Sequence, residues 1–142
     1  MVYKFLSFAF FIFIASCSNT DDTVKEDCSE NTVCTQNFVT IGVTVKGASG
    51  VNVPLNRFKV VDTKTDEDIT LVQNQEEFEN YAKDGYYPIF NDAYRLDYQN
   101  QTTTIAFIGY NADKEIVNEE FTVGADCCHV LLISGNTDII ID

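Results

Sequence analysis

The chain has 142 residues, of which 22 are acidic against nine Lys and Arg, giving a net charge of −13 at neutral pH. A surface of that sign repels phosphate backbones and anionic headgroups, which argues against nucleic acid or the lipid surface as a partner. Its length and 45% hydrophobic content suffice for one domain with a real core. The carboxylates are spread through turns, where their first role is solubility.

The chain opens on Lys4 and an apolar run from Phe5 to Ile14, then Ala15-Ser16-Cys17 and the polar Ser18-Asn19-Thr20-Asp21-Asp22. That layout is a secretory signal rather than a folded element. Read as a helix, residues 5–16 would span about 18 Å, short of the roughly 30 Å hydrocarbon core, so a retained membrane span fits less well. Ile14-Ala15-Ser16-Cys17 resembles the bacterial lipobox, with Ile14 where Leu commonly stands. The resemblance implies that residues 1–16 are removed and that Cys17 is lipidated as the mature N-terminus. Several acyl chains on one residue make a permanent tether. Loss of Lys4 leaves the mature chain one unit more negative, since every acidic residue lies beyond the signal. Asp21-Asp22 resembles the acidic tag that directs some bacterial lipoproteins to the outer face of the outer membrane. The expected location is therefore the cell outer membrane, lipid-anchored and surface-exposed.

Residues 17–33 carry Ser, Asn, Thr, Asp and Glu with isolated valines and no apolar period, and are expected to form a flexible stalk. Asp22-Thr23-Val24 within it resembles a short bacterial O-glycosylation site, although a plain solvated linker is the preferred reading.

Residues 38–46 alternate strictly, with Val39, Ile41, Val43 and Val45 on one face, and predict a half-buried strand. Gly47-Ala48-Ser49-Gly50 is a turn. Residues 57–61 and 69–72 predict short strands around a polar turn at 62–68. Asn74-Gln75-Glu76-Glu77 predicts a helix N-cap, Phe78, Tyr81 and Ala82 its apolar face, and Asp84-Gly85 its end. Residues 86–90 predict a strand placed at a sheet edge by Pro88. Residues 102–110 and 115–123 predict a hairpin across Asn111-Ala112-Asp113-Lys114. Residues 127–133 and 137–141 predict a second hairpin around Ser134-Gly135-Asn136. Some seven short strands with turns between them predict an antiparallel β-sandwich over residues 34–142.

Beyond Cys17 stand Cys28, Cys34, Cys127 and Cys128, an even number in an exported chain, which predicts two disulfides. Neighbouring Cα atoms lie about 3.8 Å apart, too close for Cys127 to bridge Cys128. Each must reach back to the N-terminal pair. We place Cys34–Cys128 with Cys28–Cys127 first, and the crossed pairing remains open. Either closes loops of about 100 residues, worth roughly 4–5 kcal/mol each in the chain-entropy model, without simple additivity.

Cys34 leading into Val39-Thr40-Ile41-Gly42-Val43-Thr44-Val45, with a distant Asp126-Cys127-Cys128-His129-Val130 closing on Asp138-Ile139-Ile140-Ile141-Asp142, resembles bacterial surface lipoproteins with carboxypeptidase-regulatory-like domains. The resemblance implies a transthyretin-like (prealbumin) sandwich and favours Cys34–Cys128. Cys28, Cys127 and the helix near Phe78 depart from that pattern. It implies a fold and a location, not a reaction. The expected fold class is all-β, an antiparallel immunoglobulin/transthyretin-like sandwich of about seven strands with one short helix.

Cys127-Cys128-His129 lacks the spacing of a zinc knuckle, and bridged cysteines neither ligate nor attack. His129 therefore reads as structural. The segment 62–68 has Lys64 and Glu67 where a calcium loop wants turn and ligand residues. No nucleophile signature, phosphate loop or dinucleotide fingerprint is present, so no catalytic residue, metal or cofactor is expected. Tyr81, Tyr86, Tyr87, Tyr94, Tyr98 and Tyr110 crowd the middle of the chain. Of these, Tyr86, Tyr87, Tyr94 and Tyr98 are the candidate binding aromatics, able to stack on sugars or anchor a protein, while packing into the core is the preferred alternative. The expected function is a non-catalytic envelope module that contacts a glycan or another envelope protein. A bracing structural lipoprotein is the alternative, with a hydrolase behind it.

Overall fold

The computed structural model describes Cys28 and residues 31–71 and 74–142. The signal at 1–16, Cys17, Thr23 and most of the expected stalk lie outside the described residues.

Two sheets enclose one apolar core. β4 (Tyr86–Asn91), β1 (Thr40–Gly47) and β8 (Asp138–Ile141) form a sheet in the order β4-β1-β8. β3 (Glu67–Asp68), β2 (Arg57–Asp62), β5 (Gln101–Asn111), β6 (Lys114–Ala125) and β7 (Val130–Ser134) form the other, in the order β3-β2-β5-β6-β7. Every pairing is antiparallel except β1 with β8, which run parallel. The expected all-β sandwich is thus the fold.

Period-two patterning decides which side chains meet. Val43 and Val45 of β1 face Phe58 and Val60 of β2, Ile105 and Phe107 of β5, and Phe121 and Val123 of β6 in a single buried cluster. β4 departs from alternation, since residues 87–90 are all buried. A bulge opposite Ile41 and Gly42 turns Ile89 and Phe90 inward in succession. β4 lies at the sheet edge, as Pro88 requires.

The helix α1 (Gln75–Asp84) has the predicted ends. The Asn74 side chain accepts from the Glu77 N–H, and Gly85 closes the last turn in the left-handed region at φ 61°. Phe78, Tyr81 and Ala82 pack on the core, Phe78 against Phe58 at 6.3 Å between ring centres. β5 and β6 meet in the predicted hairpin, pairing as far as Asn111 with Lys114.

Two strand expectations are corrected. Residues 69–71 are not a strand: the β2 ladder ends at Asp68 but for one bond from Ile69 N to Val60 O, and Val72 lies outside the described residues. Beyond it the Thr70 hydroxyl, not a backbone carbonyl, takes the Val60 N–H, which stops the ladder. The second hairpin is also absent. β7 pairs with β6 in one sheet, while β8 crosses to the other and lies beside β1. β7 itself starts at Val130, because residues 127–129 form a turn.

The crossing passes over the core at Gly135, whose φ is 126°. A Cβ there would lie 2.3 Å from Cδ1 of the buried Phe121. Gly135→Ala therefore combines a backbone conformation that side chains avoid with a clash in the core. We expect a loss of about 2–4 kcal/mol in urea unfolding with an unchanged m-value. Gly50→Ala, at φ 78° with no atom within 4 Å of its would-be Cβ, should lose distinctly less. Equal losses would contradict the crossing geometry.

Candidate functional site

A polar cluster sits where the segment ahead of β1 meets the turn between β6 and β7. Cys28 is bonded to Cys127 and Cys34 to Cys128, each pair with Cα atoms 5.2 Å apart. Of the two arrangements left open by the sequence, this is the one adopted. The adjacent cysteines occupy a turn rather than a strand. Asp126 Oδ1 accepts from the Cys128 and His129 N–H groups at 2.6 and 2.7 Å, and the Arg95 guanidinium donates to the Cys127 carbonyl.

Asp92, in a 3-10 turn (Asp92–Tyr94) after β4, joins that turn to the start of β1. Its Oδ2 accepts from Val39 N at 2.8 Å and lies 2.8 Å from His129 Nδ1, while its Oδ1 accepts from Val130 N at 2.9 Å. The Asp92 side chain is 10% exposed. Burial pushes its carboxyl upward, but the Val39 N–H, His129 and the Val130 N–H outweigh burial and hold it below its ordinary 3.8. It is therefore ionised at neutral pH and can only accept, so His129 Nδ1 carries the proton between them. The other ring nitrogen, Nε2, is 2.7 Å from the Thr35 hydroxyl. Thr35, His129, Asp92, Arg95 and Phe38 border an open cleft of about 270 Å³.

The candidate aromatics divide differently from the binding expectation. Tyr87 is wholly buried, its hydroxyl accepting from Leu55 N at 2.7 Å, so it offers no face to a ligand. Tyr94 stacks on the buried Phe90 at 5.4 Å, and Tyr98 meets Phe90 edge-on at 5.2 Å. Tyr98 donates to Asp62 Oδ2, and burial with the Asp62 carboxylate pushes its phenol up to about 12. Asp62 also accepts from Thr103, Lys64 N and Thr65 N, which caps the 62–66 turn. Tyr86 is half-buried over Gly42, where any Cβ would strike its ring. These rings fill and cover the core; they do not rim a groove. The acidic segment 62–68 is likewise a capped turn, and no metal-competent cluster of His, Cys, Asp and Glu exists among the described residues.

The exposed apolar surface lies elsewhere. β7 is an outer strand, and Leu131, Leu132 and Ile133 are all exposed on it. Ile140 on β8, the edge of the other sheet, is 69% exposed. β7 covers only the Thr122–Ala125 end of β6, leaving the first half of β6 unpaired on that side. Between that free half and β8 runs a cleft of about 690 Å³, lined by Val53, Ile116, Val117, Ile139 and Ile141.

Asp92, Thr35 and Arg95 went unmarked in the sequence because their contacts span 32 to 94 residues, and no local pattern encodes them. The one nearby signal was Asn91, whose side chain caps the 3-10 turn through Ala93 N. Comparison with protein-family models, with curated proteins and with solved structures finds no match for this chain.

Asp92→Asn keeps the shape but replaces one acceptor oxygen with a donor among partners that all donate. We expect about 1–3 kcal/mol less stability at pH 7 by urea unfolding. Because its folded pKa is lowered, the Asp92 contribution is complete above about pH 3.8 and fades as pH falls through the folded value. The variant should therefore lose less stability than the parent between pH 5 and pH 2. Asp62 and Asp68, also held low, keep part of that acid dependence.

Proposed function

We propose that the chain is a lipid-anchored module of the bacterial cell envelope that docks another envelope protein and works by binding rather than turnover. The tether is Cys17, on the strength of the N-terminal signal and its lipobox-like end. The acidic pair after it favours the outer face of the outer membrane. The observation that carries the docking reading is the uncharged outer strand Val130–Ser134, with Leu131, Leu132 and Ile133 in solvent. A strand edge of this kind is a template for another chain unless something covers it. A second copy would bring the same strong negative charge, and that repulsion favours a different partner. A protein is favoured over a glycan because the tyrosines that might have stacked on sugar rings pack on the core. The transthyretin-like resemblance is compatible with this role and adds no reaction to it.

The test places a photo-crosslinking side chain at Leu132 or Ile133, with Glu79 on the exposed face of α1 as control, in cells carrying the lipidated protein. A discrete protein adduct from the β7 positions and none from Glu79 is expected. No adduct, or the same adducts from all three, would sink the reading. Protease added to intact cells should remove the protein while a periplasmic control survives; protection would overturn the outward-facing placement.

A further inference from the structure

We propose that Thr35 is a nucleophilic hydroxyl, held in a relay with His129 and Asp92, that takes an acyl group from a carboxylic ester in the adjoining cleft. This goes beyond the docking reading and does not rest on it. Three groups stand in line: the Thr35 hydroxyl 2.7 Å from His129 Nε2, and His129 Nδ1 2.8 Å from Asp92 Oδ2. A hydroxyl, a base within hydrogen-bond reach and a carboxylate orienting that base are the requirements for activating a weak nucleophile. The tautomer also fits. With Nδ1 on Asp92, the ring presents Nε2 to the Thr35 hydroxyl.

The surroundings suit the reaction. Thr35 is exposed, so an ester can reach its oxygen, whereas Asp92 is enclosed. The Cys34–Cys128 bond holds nucleophile and base together, because Thr35 follows one half-cystine and His129 follows the other. Such fixed positioning supplies much of the advantage of an intramolecular reaction. Arg95, anchored by the Cys127 carbonyl, is the cation bordering the cleft, and the largely exposed Phe38 offers an apolar wall for an acyl chain. The Thr35 contact is dispensable as a clasp. Asp92 already ties Val39, His129 and Val130, and a solvent-exposed hydrogen bond adds little to stability.

In the step, Thr35 Oγ1 attacks the ester carbonyl while its proton passes to His129 Nε2. Asp92, a positioning residue, stabilises the imidazolium, and Arg95 faces the negative oxygen of the tetrahedral intermediate. Collapse breaks the ester C–O bond, the alcohol leaves with the proton from His129, and the acyl group remains on Thr35. One acyl group per chain is a modification of the module rather than turnover.

The test treats the purified full chain, in detergent, with p-nitrophenyl acetate and reads p-nitrophenolate release together with acetyl groups located by peptide mass mapping. Acetyl on Thr35 is expected, lost in Thr35→Ala and kept in Thr35→Ser. His129→Gln should slow labelling by about 100-fold or more, the usual share of a general base. His129 is the sole histidine. Diethyl pyrocarbonate on the unmutated protein should therefore block labelling, and hydroxylamine applied before the ester should restore it, whether or not the variant folds. An unlabelled Thr35, or labelling at an unchanged rate once His129 is blocked, would overturn the proposal.

Discussion

Two neighbouring cysteines tie the segment ahead of the sandwich to its last third. Cys127 and Cys128 sit in one Asp126-capped turn between β6 and β7, and each is bonded to a cysteine that precedes β1 by several residues. The chain ahead of the sandwich is thereby fixed to its far end, and in the chain-entropy model each long loop so closed is worth several kcal/mol. Any pull from a membrane tether on the N-terminal side would arrive at this knot before it reached β1. Asp92 completes the arrangement by bonding Val39, just ahead of β1, and Val130, the first residue of β7, from a third place in the chain. Its carboxylate is worth burying because every group that faces it donates.

The sandwich is closed unevenly. On the β4 side, the bulge turns Ile89 and Phe90 inward and α1 packs Phe78, Tyr81 and Ala82 on the core. On the β7 and β8 side the two sheets end apart, the first half of β6 lacks a neighbour, and isoleucines and leucines remain in solvent. The usual protections of an open edge are charge or proline on the strand itself. Val130–Ser134 has neither charge nor proline, and the acidic charge of the molecule disfavours a second copy beside it. That protection works against copies of the same chain and not against a neutral or basic partner, which is why the edge reads as a docking surface.

The polar corner and the apolar edge also differ in how they are held. Thr35 and His129 each follow a bridged cysteine, and Asp92 and Arg95 hydrogen-bond to the same turn. The edge is held on one side only. Chemistry and docking, if both operate, would use opposite properties of one small fold.

Local signals served wherever the interaction was local. The ends of α1 were legible from Asn74, Glu77 and Gly85, the β5–β6 hairpin from its loop, and the core face of β1 from alternation, since capping, turn geometry and the pleat act within a few residues. The cysteine count and the distance limit on adjacent cysteines narrowed the bonding to two patterns. Which pattern holds, which sheet β8 joins, and which tyrosines face solvent were decided in the tertiary structure. A strand of four residues has no local preference between two sheets; β8 pairs with β1 because the chain can cross over Phe121 at Gly135, where no side chain intervenes. The line from Thr35 through His129 to Asp92 has the same origin. Composition and period determined that this chain makes a sandwich with an acidic surface, but only packing at long range could bring a hydroxyl, an imidazole and a carboxylate from three distant segments into register.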